Sequence, residues 1–175
     1  MLTDEQMRYP IGKFAPPLSY TDEMILNWIA EIDALPGKLR QATMGLTEAR
    51  LDTPYRLGGW TIRQVVHHIP DSHMNSLIRF KWAMTEDNPT IKPYHEDLWA
   101  MLADYQLPIE PSLKMLEGIH TRMVALFQSF TADDLSRTFT HPASGVTAPL
   151  KQIIGMYAWH GNHHLAHVTE TVKRF

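Results

Sequence analysis

Four histidines fall within eight residues in the stretch Trp159-His160-Gly161-Asn162-His163-His164-Leu165-Ala166-His167. His160 and His164 are four apart, a spacing that stacks two side chains on one face of a helix, close enough to share one ion. Neutral imidazole is the commonest protein ligand for zinc and its neighbours in the transition series. The spacing therefore implies two ligands of a metal site, with a third drawn from the earlier pair His67-His68. Of ten histidines in the chain, seven lie in the stretches 67–73 and 160–167. The chain has no cysteine, which excludes disulfides, thiolate zinc sites and thiol nucleophiles. Any metal must be held by histidines and carboxylates.

Helices have to position these residues. The apolar residues Leu150, Ile153, Ile154, Tyr157, Leu165 and Val168 form one stripe at about 100° per residue. On that wheel His164 falls roughly 40° from the stripe centre and His160 roughly 80°. The pair His163 and His167 lies further round, toward solvent. In the earlier segment His68 heads a polar stripe with Ser72, Asn75 and Arg79, as one wall of a cleft between helices would. His73, His120 and His141 read as hydrogen-bonded core histidines and His95 as a loop residue. Trp28, Trp82 and Trp99 read as core or interface, and Asp71 and Asp97 as surface charges. There is no glycine-rich phosphate loop and no serine in a recognisable elbow.

Four long helical patterns organise the chain. Thr21 before Asp22 and Glu23 starts the first, with Ile25, Trp28, Ile29, Ile32, Leu35 and Leu39 inward. Pro36-Gly37 is expected to kink or briefly break it. Thr61 and Gln64 form a capping box that opens the second, with Pro70 in its middle. The third spans 112–130. Thr147 is expected to cap the last, with Pro149 in its first turn. Residues 1–20 read as an extended arm, 138–146 as irregular, and 47–60 and 86–111 as long connections. The pattern predicts an all-α fold, a four-helix bundle in a single domain over residues 1–175, with one or two crossing connections.

The formal net charge is -3 and no Lys/Arg run stands out. Nucleic acid and anionic membrane surfaces are therefore excluded as main partners. With no apolar stretch of about 20 residues and no signal-peptide core, a cytoplasmic location is expected.

Trp60-Thr61-Ile62-Arg63-Gln64-Val65-Val66-His67-His68, followed by Asp71-Ser72-His73-Met74-Asn75, resembles the second helix of the DinB-like superfamily, in its YfiT-like branch. The run Trp159-His160 to His164-Leu165-Ala166-His167 matches the same branch. So do Tyr9-Pro10-Ile11-Gly12, Leu51-Asp52-Thr53-Pro54-Tyr55-Arg56 and Arg79-Phe80-Lys81. Pro70 departs from the branch, which usually shows a small helix former there. The resemblance implies a four-helix bundle with one divalent metal per chain, Zn or Ni, held by His68, His160 and His164, and a homodimer. It implies a metal-dependent hydrolase acting on a small molecule. It equally implies a thiol S-transferase using bacillithiol or mycothiol, with Arg79 placed to hold a thiol carboxylate. The third expectation is a non-catalytic stress or binding protein whose metal staples the bundle, with His67 or His163 closing the coordination.

Overall fold

The computed structural model describes residues 3–175; Met1 and Leu2 lie outside them. Its frame is four long helices, α2 (Asp22–Thr43), α4 (Ile62–Thr85), α6 (Glu110–Gln128) and α8 (Leu150–Val172). Short helices α1 (Asp4–Arg8), α3 (Glu48–Leu51), α5 (Glu96–Trp99) and α7 (Ala132–Ser136) sit in the connections, with a 3-10 turn at Ala103–Gln106. Helix α2 packs on α6 and α8, and α4 packs on the same two. The diagonal pairs are thus α2/α4 and α6/α8, so both the connection from α2 to α4 and that from α6 to α8 cross the bundle.

Local chemistry explains most boundaries. The Thr21 and Thr61 hydroxyls accept from the backbone N–H three residues on, and Gln64 closes the box at α4. Pro111 occupies the first turn of α6, where a missing N–H costs nothing. Arg63, buried near the start of α4, donates from Nε to Asp52 at 2.7 Å and from Nη1 to the Leu107 carbonyl at 3.2 Å. Its Nη2 pairs with Glu48 at 2.5 Å. Two of the sequence motifs, 51–56 and 60–68, are therefore joined by one guanidinium.

Four expectations are corrected. Helix α2 runs unbroken through Pro36. The Ile32 carbonyl, which Pro36 leaves without its helical donor, is taken by His120 Nδ1 from α6. The start of the arm is helical: Thr3 and Gln6 form a capping box for α1. Residues 138–149 form a hairpin, β1 (Thr138–His141) against β2 (Val146–Pro149), with Gly145 at φ 67° in the turn. Thr147 consequently lies in β2, hydrogen-bonded to Thr140 at 2.7 Å, and Pro149 precedes α8 without a side-chain cap.

The apolar interior is in two parts. One gathers Ile25, Ile29, Ile32, Leu77, Phe80, Met123, Phe127, Ile153, Ile154 and Tyr157. The other gathers Leu35, Leu39, Val65, Val66, Ile69, Leu113, Leu116 and Val168. Between them on α4, α6 and α8 sit His73, His120 and His160 to His164, a polar seam across the middle of the bundle.

Candidate metal centre

Helix α4 supplies His68 and helix α8 supplies His160 and His164; one ring nitrogen from each lies within 4.8 Å of the others. The Nε2 atoms of His68 and His160 are 3.3 Å apart. A tetrahedral ion about 2.05 Å from each nitrogen would hold a pair about 3.3 Å apart, so this spacing fits one. Ring centroids of His160 and His164, one helical turn apart, are 4.5 Å from each other. Close packing of α8 on α2 brings the histidines to this depth. A Cβ on Gly161 would stand 2.4 Å from Leu35 Cδ2, so a larger residue there would need the Leu35 side chain to move.

Burial sets the charge state. It pushes His68 down to about 4. Burial, followed by the neighbouring imidazoles, holds His160 and His164 well below the usual range. All three are neutral at pH 7, with lone pairs available to a cation. His68 Nδ1 is buried and has no hydrogen-bond partner among the described residues. The indole of Trp60 lies against this ring, with centroids 4.7 Å apart.

Other polar groups surround the trio. His73 Nε2 is 3.1 Å from His160 Nδ1, and His73 Nδ1 is 2.8 Å from His120 Nε2. On the opposite side His167 Nδ1 is 3.3 Å from His164 Nδ1, and His167 Nε2 is 3.1 Å from the Arg8 carbonyl. His163 stacks on Trp159, centroids 4.6 Å apart, and faces Tyr9. Trp159 Nε1 donates to the Gly12 carbonyl at 3.2 Å. The motifs at 9–12 and 159–167 thus meet at one place.

The helical wheel placed His163 and His167 toward solvent; they are 7% and 3% exposed. The arm, outside any helical periodicity, covers them. A second possible trio, His163, His164 and His167, results. It draws on one helix, and its neighbours His163 and His164 leave the axis about 100° apart. His67 turns away from His68: its Nε2 donates to the Leu107 carbonyl at 3.1 Å and its Nδ1 accepts from Ser112 at 2.7 Å. Asp71 is half-buried and accepts from Tyr105 at 2.7 Å, so it is not the surface charge expected.

A cavity of about 340 Å³ is lined by His163, His164 and His167, of which only His164 belongs to the first trio, and by Arg8, Tyr55, Arg56, Trp60, Glu96 and Asp97. The larger cavity of about 460 Å³ reaches His167 alone of these histidines. Arg79, expected to face a cleft, is instead buried; its Nη2 donates to the Lys92 carbonyl at 3.1 Å. The cations beside the candidate site are Arg8 and Arg56, from the arm and the 52–61 loop. No helix among the described residues is long and apolar enough to cross a membrane.

Comparison with known proteins matches the chain to a family. A chain from Bacillus cereus named "Putative metal-dependent hydrolase" is 56% identical over 168 residues, covering 96% of each chain. A Bacillus anthracis relative of the same name is equally similar. The structure of YfiT from Bacillus subtilis, described as a probable metal-dependent hydrolase with an unusual four-helix bundle topology, superposes with a TM-score of 0.94 at 44% identity over 97% of each chain. A mycothiol-dependent maleylpyruvate isomerase shares the fold, with a TM-score of 0.62 at 14% identity over 79% of this chain and 60% of that one. The family model of the DinB superfamily matches residues 31–168, and the chain belongs to that superfamily.

Proposed function

We propose that His68, His160 and His164 hold one divalent ion, zinc or nickel, and that the protein is a metal-dependent hydrolase of small molecules. The observation that carries this reading is three neutral imidazoles converging from two helices, one of which, His164, lines an open cavity. Three protein ligands leave a coordination position for substrate or water, the arrangement of a catalytic site. An ion there supplies Lewis acidity toward water, a carbonyl or a thiol. The chain's own groups do the rest. Trp60 shields the His68 side from solvent, and Arg8 and Arg56, each paired with Asp4, would meet an anionic group in a cavity that Glu96 and Asp97 also line. His67, with both nitrogens engaged elsewhere, does not close the coordination; of the two closing ligands a structural staple would use, His163 remains.

Arg8 and Arg56 beside the site also favour a second reading, a thiol S-transferase binding a carboxylate-bearing thiol such as bacillithiol. Metal content by mass spectrometry, on wild type and on His68→Ala, tests the site. Stoichiometric metal in wild type, lost in the variant, is expected; no metal in wild type overturns the reading. Ester and amide hydrolysis that stops with chelation supports the hydrolase. Calorimetric binding of bacillithiol that needs the metal, without hydrolysis, replaces it with the transferase. Metal loss that unfolds the protein, with neither activity, returns the staple.

A further inference from the structure

The hydrogen bonds around the trio have a direction, and it is set by backbone carbonyls. Pro36 has no N–H, so the Ile32 carbonyl has no helical donor and meets His120 Nδ1 instead. A carbonyl only accepts, so Nδ1 of His120 carries the proton. Neutral imidazole has one N–H, which makes His120 Nε2 an acceptor. His73 Nδ1, 2.8 Å away, must then donate to it. His73 Nε2 is left as an acceptor, and His160 Nδ1 donates to it at 3.1 Å. That leaves His160 Nε2 as a bare lone pair, on the atom 3.3 Å from His68 Nε2.

A second chain runs from the other side. The Arg8 carbonyl accepts from His167 Nε2 at 3.1 Å. His167 Nδ1 is therefore an acceptor, and His164 Nδ1 donates to it at 3.3 Å. His164 Nε2 is left bare as well. Two independent chains, anchored on two carbonyls from elements distant in sequence, end in the same result.

Resting on the metal site proposed above, we infer that His120, His73 and His167 are positioning residues that fix the tautomers of His160 and His164, so that both turn an unprotonated Nε2 toward the ion. Pro36 is part of the device, because it frees the carbonyl that starts the first chain. A ligand already in the right tautomer pays no proton rearrangement on binding, and partners of ligating histidines typically matter 10–100-fold in metal affinity.

The test is side-chain 15N NMR of the metal-free wild-type protein near neutral pH, with metal affinity measured on variants. Nδ1–H tautomers are expected for His120, His73, His160 and His164, and Nε2–H for His167. An Nε2–H form of His73, His120 or His160 overturns the first chain, and an Nε2–H form of His164 the second. His73→Phe keeps the ring volume and breaks the chain; a metal Kd weaker by about 10–100-fold is expected, with His164 unchanged in the spectrum. His73→Gln offers one acceptor and one donor, so affinity within a few-fold of wild type is expected. Equal loss in both variants would make His73 a packing residue and overturn the inference; should His73→Phe not fold, the wild-type spectrum decides. No metal uptake by wild type sinks the metal reading whatever the tautomers. Wrong tautomers with uptake intact sink the relay alone.

Discussion

His163 and His164 are adjacent in the chain and differ in what their rings touch. His164 meets His68 and His160 on one side and His167 on the other. His163 is stacked on Trp159, and its Nδ1 has no partner among the described residues. The two possible trios therefore make opposite predictions. Under the assignment to His68, His160 and His164, His163→Phe retains full metal occupancy while His160→Ala loses it. Occupancy lost in His163→Phe and kept in His160→Ala would move the ion to the second trio; metal analysis of both variants decides. The pairing of His160 with His164 was legible from spacing alone, since apolar periodicity points it inward. The wiring of His73 and His120 was not. Sequence marked them as core histidines, but their direction depends on a proline whose freed carbonyl lies 88 positions from His120. No local pattern encodes such a contact.

Among the elements, α6 and α8 each contain a glycine where alanine would be the better helix former by about 1 kcal/mol. Around Gly118 a Cβ would meet nothing within 4 Å. Gly118→Ala should thus raise stability by about 0.5–1 kcal/mol, read as a higher urea midpoint. At Gly161 the same change sets a methyl 2.4 Å from Leu35 Cδ2, so the end of that buried side chain must shift. Overpacking of this kind costs about 1–3 kcal/mol, enough to outweigh the helix-propensity gain. Gly161→Ala should lower the midpoint and weaken metal binding, because it shifts the turn that carries His160 and His164; an unchanged midpoint would mean that α8 and α2 are less closely packed than described. The starts of α2 and α4 were readable because threonine caps and capping boxes are local chemistry; α6 and α8 start without a side-chain cap, and Thr147, which looked like one, lies in a strand. The hairpin at 138–149 was not, because four-residue strands show too little alternation, and β1 is also held from outside the hairpin by the Ile91 N–H donating to the Thr140 carbonyl.

For the whole molecule, the buried seam makes stability depend on pH. Burial takes His68 and His120 down to about 4 from an ordinary 6.5. Between those values the unfolded chain binds protons that the folded chain refuses, so acid favours unfolding. Their contribution is complete above about 6.5 and is lost as pH falls toward 4, at up to about 1.4 kcal/mol per pH unit for each histidine. Against a total stability of about 5–15 kcal/mol, this should unfold the metal-free protein in mild acid. Urea midpoints at pH 7.5, 6 and 5 check it: a steady fall is expected, and a flat profile would mean that these histidines are solvated. Bound metal should push the fall to lower pH, since protons then compete with the ion for the same nitrogens. The four-helix frame was readable because each long helix carries its own apolar period. That α2 and α4 lie on a diagonal was readable only as an expectation of crossings, drawn from the length of the loops.

That frame also dictates an order of events when the chain folds. His68 and His160 are separated by 92 positions and by the whole of α6, so their meeting waits on the crossing from α6 to α8. Helix α8, by contrast, carries two pairs of histidines spaced by four, His160 with His164 and His163 with His167, and can grip a cation as soon as its own turns form. An ion present too early meets this local pincer before α4 has arrived, and it holds imidazoles that the arm must later cover. Binding to the unfolded chain subtracts from what the ion adds to the folded one. If the proposed site takes up its ion, the same dense histidine run would act, for the chain on its way there, as a kinetic trap whose depth is set by free metal.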